Sequence, residues 1–268
     1  MTPESIWEDI VNIRSQAPLV HNITNYVVMN TTANALLAIG ASPVMAHAIE
    51  EVDEMVSLAS ALVLNIGTLS SRWIEAMLKA GIAANEKGVP VVLDPVGAGA
   101  TSLRTETANK ILMEIGPGII RGNASEIFAL ASAEGVTKGV DSTMSTESAL
   151  EAARELAAER NCTVSVSGAT DVVINRDQII RIRNGHPMMT RVTGLGCTAT
   201  ALTGAFAAVD SSLFDAAAHA AAVMGIAGEI AAEKAAGPGT LQLHLLDILS
   251  TLTLDQIGGH LSIDADET

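Results

Sequence analysis

The sequence is short of aromatic residues, basic residues and cysteines. Phe, Trp and Tyr together make up 2% of the chain, whereas hydrophobic residues make up 49%. A core must therefore be assembled from Ala, Val, Ile, Leu and Met, which favours helices packed closely on a sheet. Lys and Arg total 15 against 30 Asp and Glu, a formal charge of −15, and no local basic patch offsets it. Such a surface repels phosphate backbones and argues against nucleic acid as a partner; a small anionic ligand would need a few local donors. Cys162 and Cys197 are the only cysteines in 268 residues, a number that fits free thiols in a reducing compartment better than a disulfide framework. No Cys-x-x-Cys or His-Glu-x-x-His metal motif occurs, and no Gly-Lys pair of a Walker A loop. The opening residues 1–9 are acidic where a secretory leader would be basic and then apolar, which predicts a cytoplasmic protein. Residues 192–209 carry no charge and are nearly long enough to span a bilayer. Their many Thr and Gly residues supply little hydrophobic drive, so the segment reads as a buried helix behind a turn, with no membrane partner.

No linker divides the 268 residues, so the whole of 1–268 reads as one domain. The apolar runs at 61–66, 89–93 and 163–166 lack period-two alternation, as strands buried on both faces do. Between them, 70–87 and 146–160 carry apolar residues at helical spacing with charges opposite. This is the βα repeat of a mostly parallel sheet covered by helices. Segments 171–175 and 178–183, separated by Arg176 and Asp177, predict a hairpin added to that sheet. Beyond Gly194 the chain reads as helices at 197–209, 213–235 and 240–253, and the polar stretch 258–268 predicts a frayed tail.

Several segments suit chemistry. In Thr193-Gly194-Leu195-Gly196-Cys197, glycines at alternate positions allow positive φ and close approach of a ligand, and the helix behind them offers unpaired N–H groups to an anion. Equally, this is a glycine turn that only starts a helix. Asp94, at the end of a buried strand and before Gly97-Ala98-Gly99, points into the crevice where open α/β sheets bind ligands and is suited to Mg²⁺; alternatively it caps its turn. One unit later, Asn123 and Glu126 have capping-box spacing, yet Arg121 would bring positive charge to the same crevice and Glu126 a second carboxylate. Ser167 and Gly168 lie in a tight turn between strands, whose hydroxyl and N–H groups suit a nucleotide. Asn25 and Met45 end two further strands and would line a small, partly apolar pocket, unless Met45 is ordinary core.

Taken in order, HNITNYVVMNTTANALLAIGASPVM, LNIGTL, PVVLDPVGAGAT, IIRGNASEI and VTGLGCTATALTGAF closely resemble the hydroxyethylthiazole kinase family of the ribokinase-like superfamily, over about residues 18–252. The resemblance implies a three-layer α/β fold, with a mostly parallel central sheet covered by helices on both faces. It implies transfer of the γ-phosphoryl group of ATP, with Mg²⁺, to the hydroxyl of 4-methyl-5-(2-hydroxyethyl)thiazole in thiamine salvage. It also implies a homotrimer whose active sites lie between subunits. By position, Met45, Gly194 and Asn25 would contact the thiazole alcohol, while Arg121, Asn123, Ser167 and Gly168 would contact ATP. Asp94 and Glu126 would organise Mg²⁺, and Gly194, Gly196 and Cys197 would form the catalytic anion hole. Sugar kinases of the superfamily usually end this turn in Asp, whereas the thiazole kinases carry Cys, as here. Its thiol, lowered from a pKa of about 8.5 by the helix terminus, is expected to have partial thiolate character and to accept the hydroxyl proton late.

The alternatives are a kinase for hydroxymethylpyrimidine, an ATP-dependent NAD(P)H-hydrate dehydratase, a nicotinamide oxidoreductase and a non-catalytic nucleotide-binding protein. The HNITNYV segment and Cys197 argue against the first two. Ser102, where a dinucleotide fingerprint needs its third glycine, argues against the third.

Overall fold

A computed structural model describes residues 1–133 and 146–265. In chain order the elements are α1 (Pro3–Gln16), β1 (Leu19–Ile23), α2 (Met29–Ile39), β2 (Ser42–Val44), α3 (Val52–Leu58), β3 (Ala61–Asn65) and α4 (Ser71–Lys87). There follow β4 (Val91–Asp94), α5 (Ser102–Glu114), β5 (Ile119–Asn123), α6 (Ala124–Ala133), α7 (Thr146–Arg160) and β6 (Thr163–Ser167). The chain ends with β7 (Asp171–Ile174), β8 (Ile179–Ile182), a 3₁₀ turn (Pro187–Arg191), α8 (Leu195–Ala207), α9 (Leu213–Lys234), α10 (Pro238–Thr251), α11 (Leu254–His260) and β9 (Ile263–Ala265).

The unalternated apolar runs are strands of a single sheet in the order β2-β1-β3-β4-β5-β6-β7-β8-β9. Pairing is parallel from β2 to β6 and antiparallel from β6 to β9. Each inner strand feeds two cores because successive side chains point to opposite faces. Val63 and Val92 face the layer formed by α1, α2, α8, α9 and α10, while Leu62, Leu64 and Leu93 face the layer of α3 to α7. With so few aromatics, the first layer is filled by small residues. At Gly204 on α8 a Cβ would lie 2.6 Å from Val63 Cγ2, so the helix rests directly on the sheet.

The hairpin forms as expected from β7 and β8, and α7 has the predicted bounds. The start of α8 lies two residues before the expected Cys197. The frayed tail is corrected: residues 258–260 close α11, and β9 pairs antiparallel with β8. A polar strand can form there because Asn184 supplies fixed partners, its Oδ1 accepting from Ser262 N at 2.9 Å and its Nδ2 donating to the His260 carbonyl at 2.7 Å. Arg183 and Asp264 pair beside it. Residues 266–268 lie outside the described residues. α9, long and apolar enough to cross a membrane, has 83% of its most apolar window buried inside the protein, packed on α8 and α10. This is a core helix.

α1 is anchored to α9 by a buried polar contact. His219 Nδ1 lies 2.6 Å from Asp9 Oδ2 and 3.9 Å from Asp210 Oδ2, and Nε2 is 3.2 Å from Ser5 Oγ. Removing one member of a buried pair strands the other without water. Asp9→Ala is therefore expected to lower unfolding stability by about 3 kcal/mol. The apolar pair Asp9→Leu with His219→Phe should recover most of that loss in denaturant titrations; a single variant of wild-type stability would contradict the anchor.

Candidate active site

The carboxyl ends of β1, β3, β4 and β5 lie along one edge of the sheet. The chain reverses its direction of winding there, since β1 sits between β2 and β3. In open parallel sheets this reversal leaves a crevice. Asn65 and Asp94 are register partners on β3 and β4, Asn25 follows β1, and Arg121 lies on β5. Asp94 is 4% exposed, and its Oδ2 accepts from Asn65 Nδ2 at 2.7 Å and from Thr200 Oγ1 at 2.8 Å. Burial pushes its carboxyl up to about 6, with the nearby charge of Glu126 adding to the rise, while Arg121, Thr200 and Asn65 pull it down. Asn25 Nδ2 donates to Asn65 Oδ1 at 2.8 Å and to Cys197 Sγ at 3.4 Å. Asn25, Asn65, Cys197 and the carboxylate are thus one connected group.

α8 enters this edge through Gly194, at φ +83°, where a Cβ would approach Val28 Cγ1 to 2.5 Å. Both backbone and space require glycine here. Unlike α1, α4, α5 and α9, α8 has no side-chain cap. Its first N–H groups have no intrahelical acceptors, and with the helix dipole they suit an anion. Arg121, 7% exposed, donates from Nη1 to the Gly196 carbonyl at 3.1 Å, which holds its charge against the turn.

The expected ionisation of Cys197 is overturned. Burial first, then the Asp94 carboxylate, push its thiol up to about 11, outweighing the Asn65 and Asn25 donors and Arg121. At neutral pH this favours the thiol over the thiolate. The rise comes from burial first, to which a carboxylate brought in from another strand adds.

On the far side of Asp94, Asn123 and Glu126 form the expected capping box. Asn123 N donates to Glu126 Oε2 at 2.8 Å, and Glu126 N donates to Asn123 Oδ1 at 3.0 Å. Glu126 Oε1 also accepts from Gly97 N at 2.8 Å, so the capping carboxylate ties the turn after β4 to the start of α6. A cavity of about 570 Å³ opens over these turns, lined by residues 97–100, 123–126 and Ser167, large enough for a nucleotide phosphate chain. The Ser167 hydroxyl reaches the Gly122 carbonyl at 3.4 Å. Gly168 is corrected as a free donor, because its N–H is taken by Asp171 Oδ1 at 2.9 Å.

Met45, half-buried, follows β2. Nearby on the chain, His47 stacks on Trp73 with ring centroids 4.0 Å apart, and exposed Tyr26, next to Asn25, packs on the same indole at 4.7 Å. Asn65 and Thr200 are the residues that sequence reasoning missed. Asn65 had a visible signal, a polar residue closing a buried strand just before a glycine, as Asp94 does. Thr200 gave none among the threonines of α8. Arg104 also escaped notice; it donates to the carbonyls of Gly67 at 2.7 Å and Val96 at 2.6 Å and clamps the turns after β3 and β4 together.

The hydroxyethylthiazole kinase family model matches residues 10–255. A hydroxyethylthiazole kinase of Syntrophus aciditrophicus is 61% identical over 268 residues, covering 100% of this chain and 99% of the relative. The solved structure of a hydroxyethylthiazole kinase protein from Pyrococcus horikoshii OT3 superposes with a TM-score of 0.92 at 46% identity, covering 98% of this chain and 100% of that one. The pyridoxal kinase of Staphylococcus aureus, solved with AMP-PCP, aligns with a TM-score of 0.61 at 16% identity over 78% of this chain and 87% of its own. That likeness extends to the fold alone, which is ribokinase-like.

Asp94 opposes folding at neutral pH. Its folded pKa of about 6 exceeds the ordinary 3.8, so the folded state binds the proton more tightly and stability falls as pH rises from about 4 to about 6. Asp94→Asn is expected to abolish the site's chemistry and yet to stabilise the fold at pH 8 by about 2 kcal/mol, a gain that vanishes toward pH 4. Melting curves at both pH values check this; an equal shift at both would contradict it.

Proposed function

This chain belongs to the hydroxyethylthiazole kinase family, and we propose that it transfers the γ-phosphoryl group of ATP to the primary hydroxyl of 4-methyl-5-(2-hydroxyethyl)thiazole in thiamine salvage. The observation that carries the reading is the uncapped α8 terminus at the sheet edge. Two features accompany it: a neutral amide-and-thiol pair, Asn25 with Cys197, and, beyond Arg121, which donates to the Gly196 carbonyl, a cavity over the turns after β4 and β5 that Glu126 borders. An uncharged alcohol fits the first and a polyphosphate the second.

In this reading Met45, Asn25 and the Gly194 backbone hold the thiazole alcohol, and the Cys197 thiol and the Asn25 amide orient its hydroxyl toward the turn. Arg121, Asn123 and Ser167 hold ATP, while Gly168 shapes its turn. The N–H groups from Gly194 to Cys197 gather charge as it builds on the transferring phosphoryl. Such transfers pass through a loose transition state in which little proton removal is needed beforehand, so a protonated thiol is no obstacle. The hydroxyl proton leaves late, to an oxygen of the transferred phosphoryl or to water, as ADP departs. Oxygen-only donors at Asp94 and Glu126 suit Mg²⁺ held largely through water. When bound, Mg²⁺ would neutralise charge on the β- and γ-phosphates. We further propose that the protein is cytoplasmic and works as a homotrimer with sites between subunits, in keeping with the exposure of Tyr26 and Val27, 65% and 64%, directly beside Asn25.

The deciding experiment is ADP release with the thiazole alcohol and with hydroxymethylpyrimidine, followed by mass detection of the phosphate ester. ADP formed without a thiazole phosphate would overturn the reading. Cys197→Ala is expected to keep kcat within about tenfold of wild type, because an orienting hydrogen bond contributes about 1 kcal/mol. A loss beyond about a thousandfold would restore the thiol as base.

A further inference from the structure

We propose that Asn65 is a positioning residue for phosphoryl transfer, joining the acceptor-side amide of Asn25 and the phosphoryl-side carboxylate of Asp94 into one rigid relay. The inference rests on the kinase reading above and concerns a residue that would touch neither substrate.

Asn65 closes β3 and is 1% exposed. Its orientation is fixed by partners that can act in only one sense. Gly67 N must donate, and meets Oδ1 at 3.0 Å; an ionised Asp94 must accept, and meets Nδ2 at 2.7 Å. The remaining lone pair on Oδ1 takes Asn25 Nδ2 at 2.8 Å. Asn25 is then fixed in turn, because its own Oδ1 accepts from Val27 N at 3.1 Å, leaving its second N–H for Cys197 Sγ. The backbone closes over the pair, since a Cβ at Gly67 would lie 2.7 Å from Asn25 Nδ2.

The other end of the relay settles which oxygen of Asp94 is available. Asn65 and Thr200 both donate to Oδ2, so Oδ1 is the oxygen left to face the phosphoryl side. An amide at position 65 is the side chain that serves both ends: it offers an acceptor toward Asn25 and a donor toward Asp94. Its loss leaves every substrate contact chemically present but free to rotate.

The test is steady-state kinetics with ATP and the thiazole alcohol on Asn65→Ala, Asn65→Asp, Asn25→Ala and the double variant Asn25→Ala with Asn65→Ala, alongside melting curves. Misplacing a reacting group by about 1 Å can cost about a hundredfold. Asn65→Ala is accordingly expected to lower kcat by about 30-fold or more while the alcohol KM rises less than about fivefold. Because both residues act through one relay, the double variant should be within about threefold of the worse single variant. Asn65→Asp keeps the acceptor but loses the donor. It should leave the alcohol KM within about twofold of wild type while raising the Mg²⁺ needed for half-maximal rate about tenfold.

Multiplying losses in the double variant, or an Asn65→Ala kcat within about threefold of wild type, would overturn the relay. Should Asn65→Ala melt below the assay temperature, Asn65→Asp, which preserves side-chain size, carries the test through its KM and Mg²⁺ responses, and an unchanged Mg²⁺ requirement overturns it. If wild type phosphorylates a different alcohol, the acceptor assignment fails by itself, and the same ratios measured on that alcohol judge the relay.

Discussion

The arrangement depends on one buried carboxylate. Asp94 sits at the end of an inner strand of a sheet covered on both faces, where little water is left to solvate its charge. Asn65, Thr200 and Arg121 each favour its ionised form, and burial still prevails, holding its pKa near 6. The neighbouring pieces surround that conflict. Arg121 lies close, the Cys197 thiol is pushed up beside it, and Asn65 at the end of β3 turns its amide donor toward it while Asn25 donates to Asn65 in turn. Beside such a group the uncapped terminus of α8 offers N–H groups and a dipole end that carry no titratable charge.

Much of this could be read from the amino-acid order, for a definite reason. Strands buried on both faces cannot alternate, so the runs at 61–66, 89–93 and 163–166 declared a covered parallel sheet, and a polar residue closing such a run must face the crevice. Asp94 and the Gly194 turn were legible in that way. What was not legible depends on distances between residues far apart in the chain. The Cys197 thiol is pushed up by burial and then by a carboxylate on β4, and Thr200 reaches that carboxylate because α8 lies flat on the sheet. The N–H of Gly168 looked available until Asp171 folded back on it. β9 escaped for a related reason: its polar residues form a strand because Asn184, not their own hydrophobicity, holds them.

Small residues link the core to the site. A chain poor in aromatics fills its helical layer with Ala and Gly, which lets α8 rest on β1 and β3 through Gly204. That close seat sets the height of the Gly194 turn above the strand ends and brings Thr200 within 2.8 Å of Asp94. A bulkier helix would sit farther from the sheet and lose that contact. The composition noted first, as a scarcity, thus fixes a distance on which the site relies.

The same scarcity gives the molecule a natural optical probe. Its only tryptophans, Trp7 and Trp73, stand in separate surroundings. Trp7 lies on α1 with the Arg14 guanidinium 5.4 Å from its ring, whereas Trp73, on α4, packs on His47 and on Tyr26, the chain neighbour of Asn25. Stacked imidazole and phenol rings alter indole emission whenever they shift. One fluorophore therefore reports on the seating of α1 and the other on the turn that carries Asn25, and each can be silenced by a single replacement without introducing a label.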